Sequence, residues 1–240
     1  MTKRMIIDEE FSLQADQRMP TKVEQQSTDI LSDGHYRLER IRLQTETFAG
    51  KMSRPVTREV LRSGRSVTVL LYDPVQDTFV LTQQFRIGAY LNKLSSCWIV
   101  ECVAGMIDDG ETPEASARRE VQEETGCEVK ELERIGEYLT SPGITDELTT
   151  LFIGRISAEA AGGVHGLEAE AEDILTRVLT LEEALAAADR GALVDVTAQL
   201  AVLWFARHGE ALRVRWLAAD RGAGSTAEED LVLASATRDA

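Results

Sequence analysis

Residues 105–127 read Gly105-Met106-Ile107-Asp108-Asp109-Gly110-Glu111-Thr112-Pro113-Glu114-Ala115-Ser116-Ala117-Arg118-Arg119-Glu120-Val121-Gln122-Glu123-Glu124-Thr125-Gly126-Cys127. Thr112 is a natural N-cap, Pro113 suits the first helical position and Gly126 is a stop, so the segment predicts a helix over Pro113–Thr125. On that helix Glu120 and Glu124 are four apart and Glu123 is three from Glu120, which places all three near one face. Each like-charge pair at this spacing costs an isolated helix about 0.2–0.5 kcal/mol. Glu123 and Glu124 also sit in the last turn, where the helix dipole prefers cations. A bound dication would reverse both penalties, and closely spaced oxygen donors are what Mg²⁺ or Mn²⁺ requires. On these grounds alone a solvated acidic face is the competing reading.

Working outward, the flanking sequence alternates strand patterns with few helices. Upstream, Tyr36 to about Arg62 is strand-like, followed by Ser66–Tyr72, Thr78–Gln84 and the apolar run Trp98–Val103. Asp73-Pro74-Val75-Gln76-Asp77 supplies a turn between two of these. Downstream, Leu132–Leu139 and Leu148–Ile156 are further strands, separated by Thr140-Ser141-Pro142-Gly143. Two more helices are expected. One starts at Thr180, with Glu183 at capping-box spacing, and ends at Gly191; the other runs from about Val196 to His208 and stops at Gly209. Residues 1 to about 33 read as a mobile arm, and residues 217–240, rich in Ala, Gly, Ser, Thr and acid, as a disordered tail. The mixture predicts an α/β domain around a mixed sheet. Neither G-x-G-x-x-G after a strand nor G-x-x-x-x-G-K-[ST] occurs.

Composition narrows the function. The 240 residues carry 41 acidic and 26 basic side chains, a formal charge of −15. That balance disfavours nucleic acid and anionic membranes as partners, and an anionic substrate would need cations to approach. No apolar run is long enough for a membrane helix and no secretory signal is apparent. Cys97, Cys102 and Cys127 form neither a disulfide framework nor a zinc cluster, which suits reduced thiols in a cytoplasmic protein. His35, His165 and His208 are scattered, so a histidine-based zinc centre is not expected.

The quoted stretch resembles the signature of the Nudix hydrolases, G-x5-E-x7-R-E-U-x-E-E-x-G-U with U a bulky apolar residue. Gly105, Glu111, Arg119, Glu120, Val121, Glu123, Glu124 and Gly126 match, and Cys127 is a small departure at the last position. Chance agreement at the fixed positions is on the order of 10⁻⁹ per start. Gln84–Tyr90, Val103–Met106, Ser141-Pro142-Gly143 and Val164–Leu167 are similar to the bacterial ADP-ribose pyrophosphatases within that superfamily. The likeness runs from about Tyr36 to about His208.

The resemblance implies a Nudix fold, an α/β/α sandwich around a mixed sheet over residues 65–216. It also implies a small β-rich N-terminal part over residues 1–64 that exchanges between the subunits of a homodimer. It implies Mg²⁺-dependent cleavage of ADP-ribose to AMP and ribose 5-phosphate, Mn²⁺ being a possible substitute. The metal ligands would be Glu120, Glu124, Glu123 and the Ala104 carbonyl, and Glu170, in the acidic loop after Gly166, the catalytic base. Glu111 and Arg119 would form an ion pair that holds the loop onto the helix. Arg86 and Arg58 would meet phosphate, Gly105 and Met106 would line the site, and Ser141 and Gly143 would offer backbone donors. Glu147 would touch substrate or metal, and Tyr36 would stack on adenine. Two alternatives stay open: hydrolysis of another nucleoside diphosphate-sugar or dinucleotide, and a non-catalytic ADP-ribose sensor, which the intact carboxylate set disfavours.

Overall fold

The protein is described from a computed structural model. The structure describes residues 20–159 and 161–236, with side chains as far as Asp220. Of the arm expected over residues 1 to about 33, residues 1–19 lie outside the described residues. The chain divides into two units, one of residues 1–63 with 141–146 and the other of residues 64–140 with 147–240.

The first unit is a three-stranded antiparallel sheet in the order β1 (Val23–Asp33), β2 (Arg37–Thr45), β3 (Val56–Arg62). β1 lies within the stretch read as a mobile arm. Its side chains are exposed from end to end, so it carries no apolar signal, and its register is set by pairing with β2. Segment 141–146 joins the edge of β3. The Leu61 N–H donates to the Ile144 carbonyl at 2.8 Å and the Asp146 N–H to the Leu61 carbonyl at 3.3 Å. Asp146 also accepts from Arg62 Nε at 2.6 Å and from the Ser63 N–H at 2.8 Å.

The second unit is built on an eight-stranded mixed sheet. Its strands are β4 (Arg65–Asp73), β5 (Thr78–Phe85), β6 (Trp98–Glu101), β7 (Val103–Met106), β8 (Glu131–Leu139), β9 (Leu148–Arg155), β10 (Val164–His165) and β11 (Ile174–Thr180). The spatial order is β10-β11-β5-β4-β9-β8; β6 pairs with β5 and β7 with β4. Only β4 and β9 run parallel, and the other pairs are antiparallel. The apolar run Trp98–Val103 is thus two strands. The chain changes partner at Cys102, and the second half becomes the strand that leads into the acidic segment.

Strand alternation sorts the core into two layers. Val67, Val69 and Leu71 of β4, Val80 of β5 and Phe152 of β9 face helix α2 (Pro113–Thr125) through Ala117 and Val121. Leu70 and Tyr72, Phe79 and Leu81, and Leu151 and Ile153 face the opposite side. There they meet α3 (Leu181–Asp189) and α4 (Val196–Ala236) through Ala184, Ala187, Val202, Phe205, Leu212 and Trp216. Full burial of each large apolar side chain contributes roughly 1.5–3 kcal/mol. Helices on both faces of a mixed sheet make the α/β/α sandwich expected from the sequence.

Helix ends follow their caps, with one exception. α2 starts at Thr112, whose Oγ1 accepts from the Ala115 N–H at 3.2 Å, and ends at Gly126 in the left-handed region, φ 67°. Thr180 and Glu183 form the expected capping box of α3, although that helix ends at Asp189. The expected stop at Gly209 is corrected: α4 continues to Ala236, through the stretch expected to lack order. Gly209 is a packing glycine, since a Cβ there would fall 2.2 Å from the Phe205 ring. Beyond it, Leu212 and Trp216 are core residues. The buried Arg155 donates to the Trp216 carbonyl at 3.2 Å and pairs with Asp220, fastening the helix to β9. A short helix, α1 (Ile87–Leu91), follows β5 and was not anticipated, and neither was β11. Among the described residues no helix is long and apolar enough to cross a membrane.

Candidate active site

The acidic segment leaves the sheet along β7, turns at Asp108–Glu111 and returns as α2, so its carboxylates face the strand that precedes them. Contact between strand and helix is close at Gly105. A Cβ at that position would lie 1.9 Å from Cδ and from Oε1 of Glu120, so only glycine leaves this carboxylate its place.

Arg119 organises the turn. Its Nη2 donates to Glu111 at 3.1 Å and to the Met106 carbonyl at 3.1 Å, and its Nη1 to Glu120 at 2.8 Å and Glu123 at 3.0 Å. Glu111 accepts in addition from Ser116 Oγ at 2.6 Å. The Arg119 and Ser116 hydrogen bonds hold the Glu111 carboxyl well below the usual carboxylate range. This is the ion pair that the sequence reading assigns to these two residues.

Glu124 has another character. It is 2% exposed, and its Oε2 is buried without a hydrogen-bond partner. Burial first, then the charges of Glu120 and Glu172, push its carboxyl up to about 9, against the Arg86 charge and a hydrogen bond from the Ala104 backbone amide. Burial likewise raises Glu120, opposed by Arg119 and reinforced by Glu123 and Glu172. An unpartnered buried carboxylate oxygen costs about 1–3 kcal/mol, more when charged. Oxygen-only donors around a buried carboxyl, which a cation would deprotonate, fit a hard divalent cation. Among the described residues no three such side chains already converge on one point, and Arg119 Nη1 bridges Glu120 and Glu123.

The expected site residues fall into two groups. Ala104, Gly105, Met106, Glu120, Glu123 and Glu124 come together on β7 and α2. Arg86 joins them electrically through its effect on Glu124, while its Nε is paired with Glu101 at 2.8 Å. Glu170 lies in the same unit, exposed on a 3-10 turn over Glu168–Glu170. A loop acid whose charge reaches both Glu120 and Glu124 is Glu172. Glu147, also in this unit, accepts from Ser66 Oγ at 2.9 Å and Thr140 Oγ1 at 2.8 Å, so it braces β4 against the end of β8.

Tyr36, Arg58, Ser141 and Gly143 belong to the other unit. Tyr36 packs edge-on against His35, with ring centroids 4.5 Å apart. Arg58 is exposed and donates to the Thr57 carbonyl. Ser141 forms the expected tight turn, its carbonyl accepting from the Ile144 and Thr145 N–H groups at 3.0 Å.

The sandwich and the glycine-flanked carboxylate helix define a class: the chain belongs to the NUDIX domain family, whose model matches residues 62–200. Among individual proteins, it is 37% identical to the ADP-ribose pyrophosphatase of Escherichia coli K12 over 188 residues, 78% of this chain and 90% of that protein. It is 37% identical to the ADP-ribose pyrophosphatase of Haemophilus influenzae, covering 80% of this chain and 92% of that one. The GDP-mannose pyrophosphatase of Citrobacter koseri is 38% identical over 170 residues, 69% of this chain and 85% of that protein.

Proposed function

We propose that this protein hydrolyses the diphosphate bond of ADP-ribose, giving AMP and ribose 5-phosphate, with Mg²⁺ as cofactor and Mn²⁺ as a substitute. The observation that carries the reading is the buried Glu124 carboxyl, whose Oε2 has no hydrogen-bond partner, beside Glu120 and Glu123 on the family's signature helix. The two ADP-ribose pyrophosphatases, matched over nine-tenths of their length, support the choice of substrate.

Glu120, Glu123, Glu124 and the Ala104 carbonyl would hold the cation, which neutralises diphosphate oxygens and lowers the pKa of a bound water. Glu120 and Glu123 would exchange the shared Arg119 Nη1 for the cation, with Glu111 and the Met106 carbonyl left as partners of Arg119. Arg86 offers a guanidinium to a phosphate from beside Glu124. A carboxylate of the 168–172 loop accepts the proton of the attacking water. Glu170 is the expected base, and Glu172 is the loop acid whose charge reaches Glu120 and Glu124. Arg58 and Tyr36 of the N-terminal unit, and Ser141 and Gly143, are further substrate contacts in this reading. We read the working form as a cytoplasmic homodimer that exchanges this unit between subunits.

The likeness to GDP-mannose pyrophosphatase keeps a second nucleotide-sugar in view. The experiment is a panel of ADP-ribose, GDP-mannose and other nucleoside diphosphate derivatives with Mg²⁺, products separated and kcat/KM compared. ADP-ribose leading the panel, with AMP and ribose 5-phosphate as products, supports the reading. Preference for GDP-mannose, or binding of ADP-ribose without turnover, overturns it.

A further inference from the structure

The acidic loop is fixed at its base to the end of the metal-binding helix, and the fixing group is an imidazole. His165, in β10, packs on the C-terminal glycine of α2. A Cβ on Gly126 would lie 3.1 Å from His165 Cε1, so the ring closes over the backbone of the residue that ends the helix. His165 Nε2 is hydrogen-bonded with the Gly162 carbonyl at 2.9 Å, which sets the ring plane. The next residue, Gly166, donates its N–H to the Glu123 carbonyl at 3.3 Å. That carbonyl belongs to the last turn of α2, whose C=O groups lack intrahelical partners. The loop therefore satisfies the backbone of a residue whose side chain is an expected metal ligand.

Beyond this dock the loop is closed on itself. The Glu170 and Glu172 N–H groups donate to the Leu167 carbonyl at 3.0 and 3.2 Å, and the Leu167 N–H donates to Glu172 Oε2 at 3.1 Å. Gly166 is at φ 101°, and a Cβ there would meet Glu172 Cβ at 2.7 Å. The far end is held by β10–β11 pairing and by the Thr176 N–H on the Gly163 carbonyl at 3.0 Å. A self-bonded loop with a fixed neck moves as one piece, so whatever orients its base orients both Glu170 and Glu172.

We propose that His165 is a positioning residue, which registers the carboxylates of the 168–172 loop against the metal carboxylates of α2. The inference rests on the reading of the chain as a diphosphatase. It predicts that His165 acts on the chemical step through the loop and leaves cation and substrate binding in place.

The test uses the full-length protein. His165→Ala lowers kcat by about 10–100-fold, the range for loss of a residue that supports ligands from behind. KM for ADP-ribose and the affinity for Mn²⁺, read by electron paramagnetic resonance, stay within about threefold. His165→Gln, whose amide reaches the position of Nε2, recovers most of the rate. In a Glu170→Gln/Glu172→Gln background, His165→Ala costs less than about twofold, because the groups it positions are already gone. Amide exchange at 167–173 speeds up in His165→Ala while α3 and α4 stay protected. A wild-type kcat in His165→Ala, a fully multiplicative loss in the double-acid background, or unchanged exchange at 167–173 each overturns the proposal. If the wild-type protein does not cleave ADP-ribose, the functional reading falls, and the exchange measurement still decides the dock.

Discussion

A Cβ added to Gly105 would sit 1.9 Å from Cδ of Glu120, so the glycine that opens the acidic segment and the glutamate fifteen residues later share one volume. Gly105→Ala must displace the carboxylate or part β7 from α2. The expected outcome is a folded protein whose Mg²⁺-dependent turnover drops by about 10²-fold, the scale of a misplacement near 1 Å. Steady-state kinetics with circular dichroism check this, and a rate within about threefold of wild type would show that Glu120 is not needed where it stands.

Glu124 carries a destabilising burden in the metal-free protein. Its carboxyl is pushed up to about 9 by burial and by neighbouring acids, so the folded state holds a proton that the unfolded chain releases above about 4.5. Metal-free stability therefore falls as pH rises across that window. Glu124→Gln should raise the metal-free Tm at pH 8 and abolish the further rise that Mg²⁺ gives the wild type. Differential scanning calorimetry with and without Mg²⁺ reads both, and a Mg²⁺-induced rise surviving in the variant would move the cation elsewhere.

Glu111 behaves with the opposite sign. Its hydrogen bonds to Arg119 and Ser116 lower its carboxyl from 4.5 to about 2. The stabilisation is complete above about 4.5 and disappears as pH falls toward about 2. Glu111→Gln is expected to unfold at a lower temperature than wild type at pH 7, with the gap closing between those values. A gap independent of pH would mean that the ion pair does not fasten the turn.

How much of this was legible in the sequence depends on whether the signal was local. The α2 boundaries were readable because Thr112, Pro113 and Gly126 cap by their own chemistry, and the carboxylate face followed from helical spacing. β1 was not readable, since all its side chains are exposed and only pairing with β2 orders it. Gly209 misled because a glycine that ends a helix and one that admits a Phe205 ring look the same in one dimension. That the charge of Glu172 reaches the helix carboxylates depends on how the loop folds, which spacing along the chain does not display.

The reassigned α4 makes its own prediction. Trp216 is 2% exposed and packs with Tyr72, ring centroids 6.4 Å apart. Trp216→Ala should cost about 3–5 kcal/mol, as for a large buried aromatic. Ending the chain at Gly209 should cost at least as much, since Leu212 and the Arg155 contacts go with it. Urea unfolding measures both. A truncated protein as stable as the full chain would return the helix end to Gly209.

The most direct measurement is a crystal structure of the protein with Mg²⁺ and an α,β-methylene analogue of ADP-ribose. The account predicts Mg²⁺ bound by the carboxylates of Glu120, Glu123 and Glu124 and by the Ala104 carbonyl, in contact with the analogue's phosphonate oxygens, with Arg119 drawn back to Glu111. Mg²⁺ and analogue bound together at another place, with Arg119 still bridging Glu120 and Glu123, would contradict it.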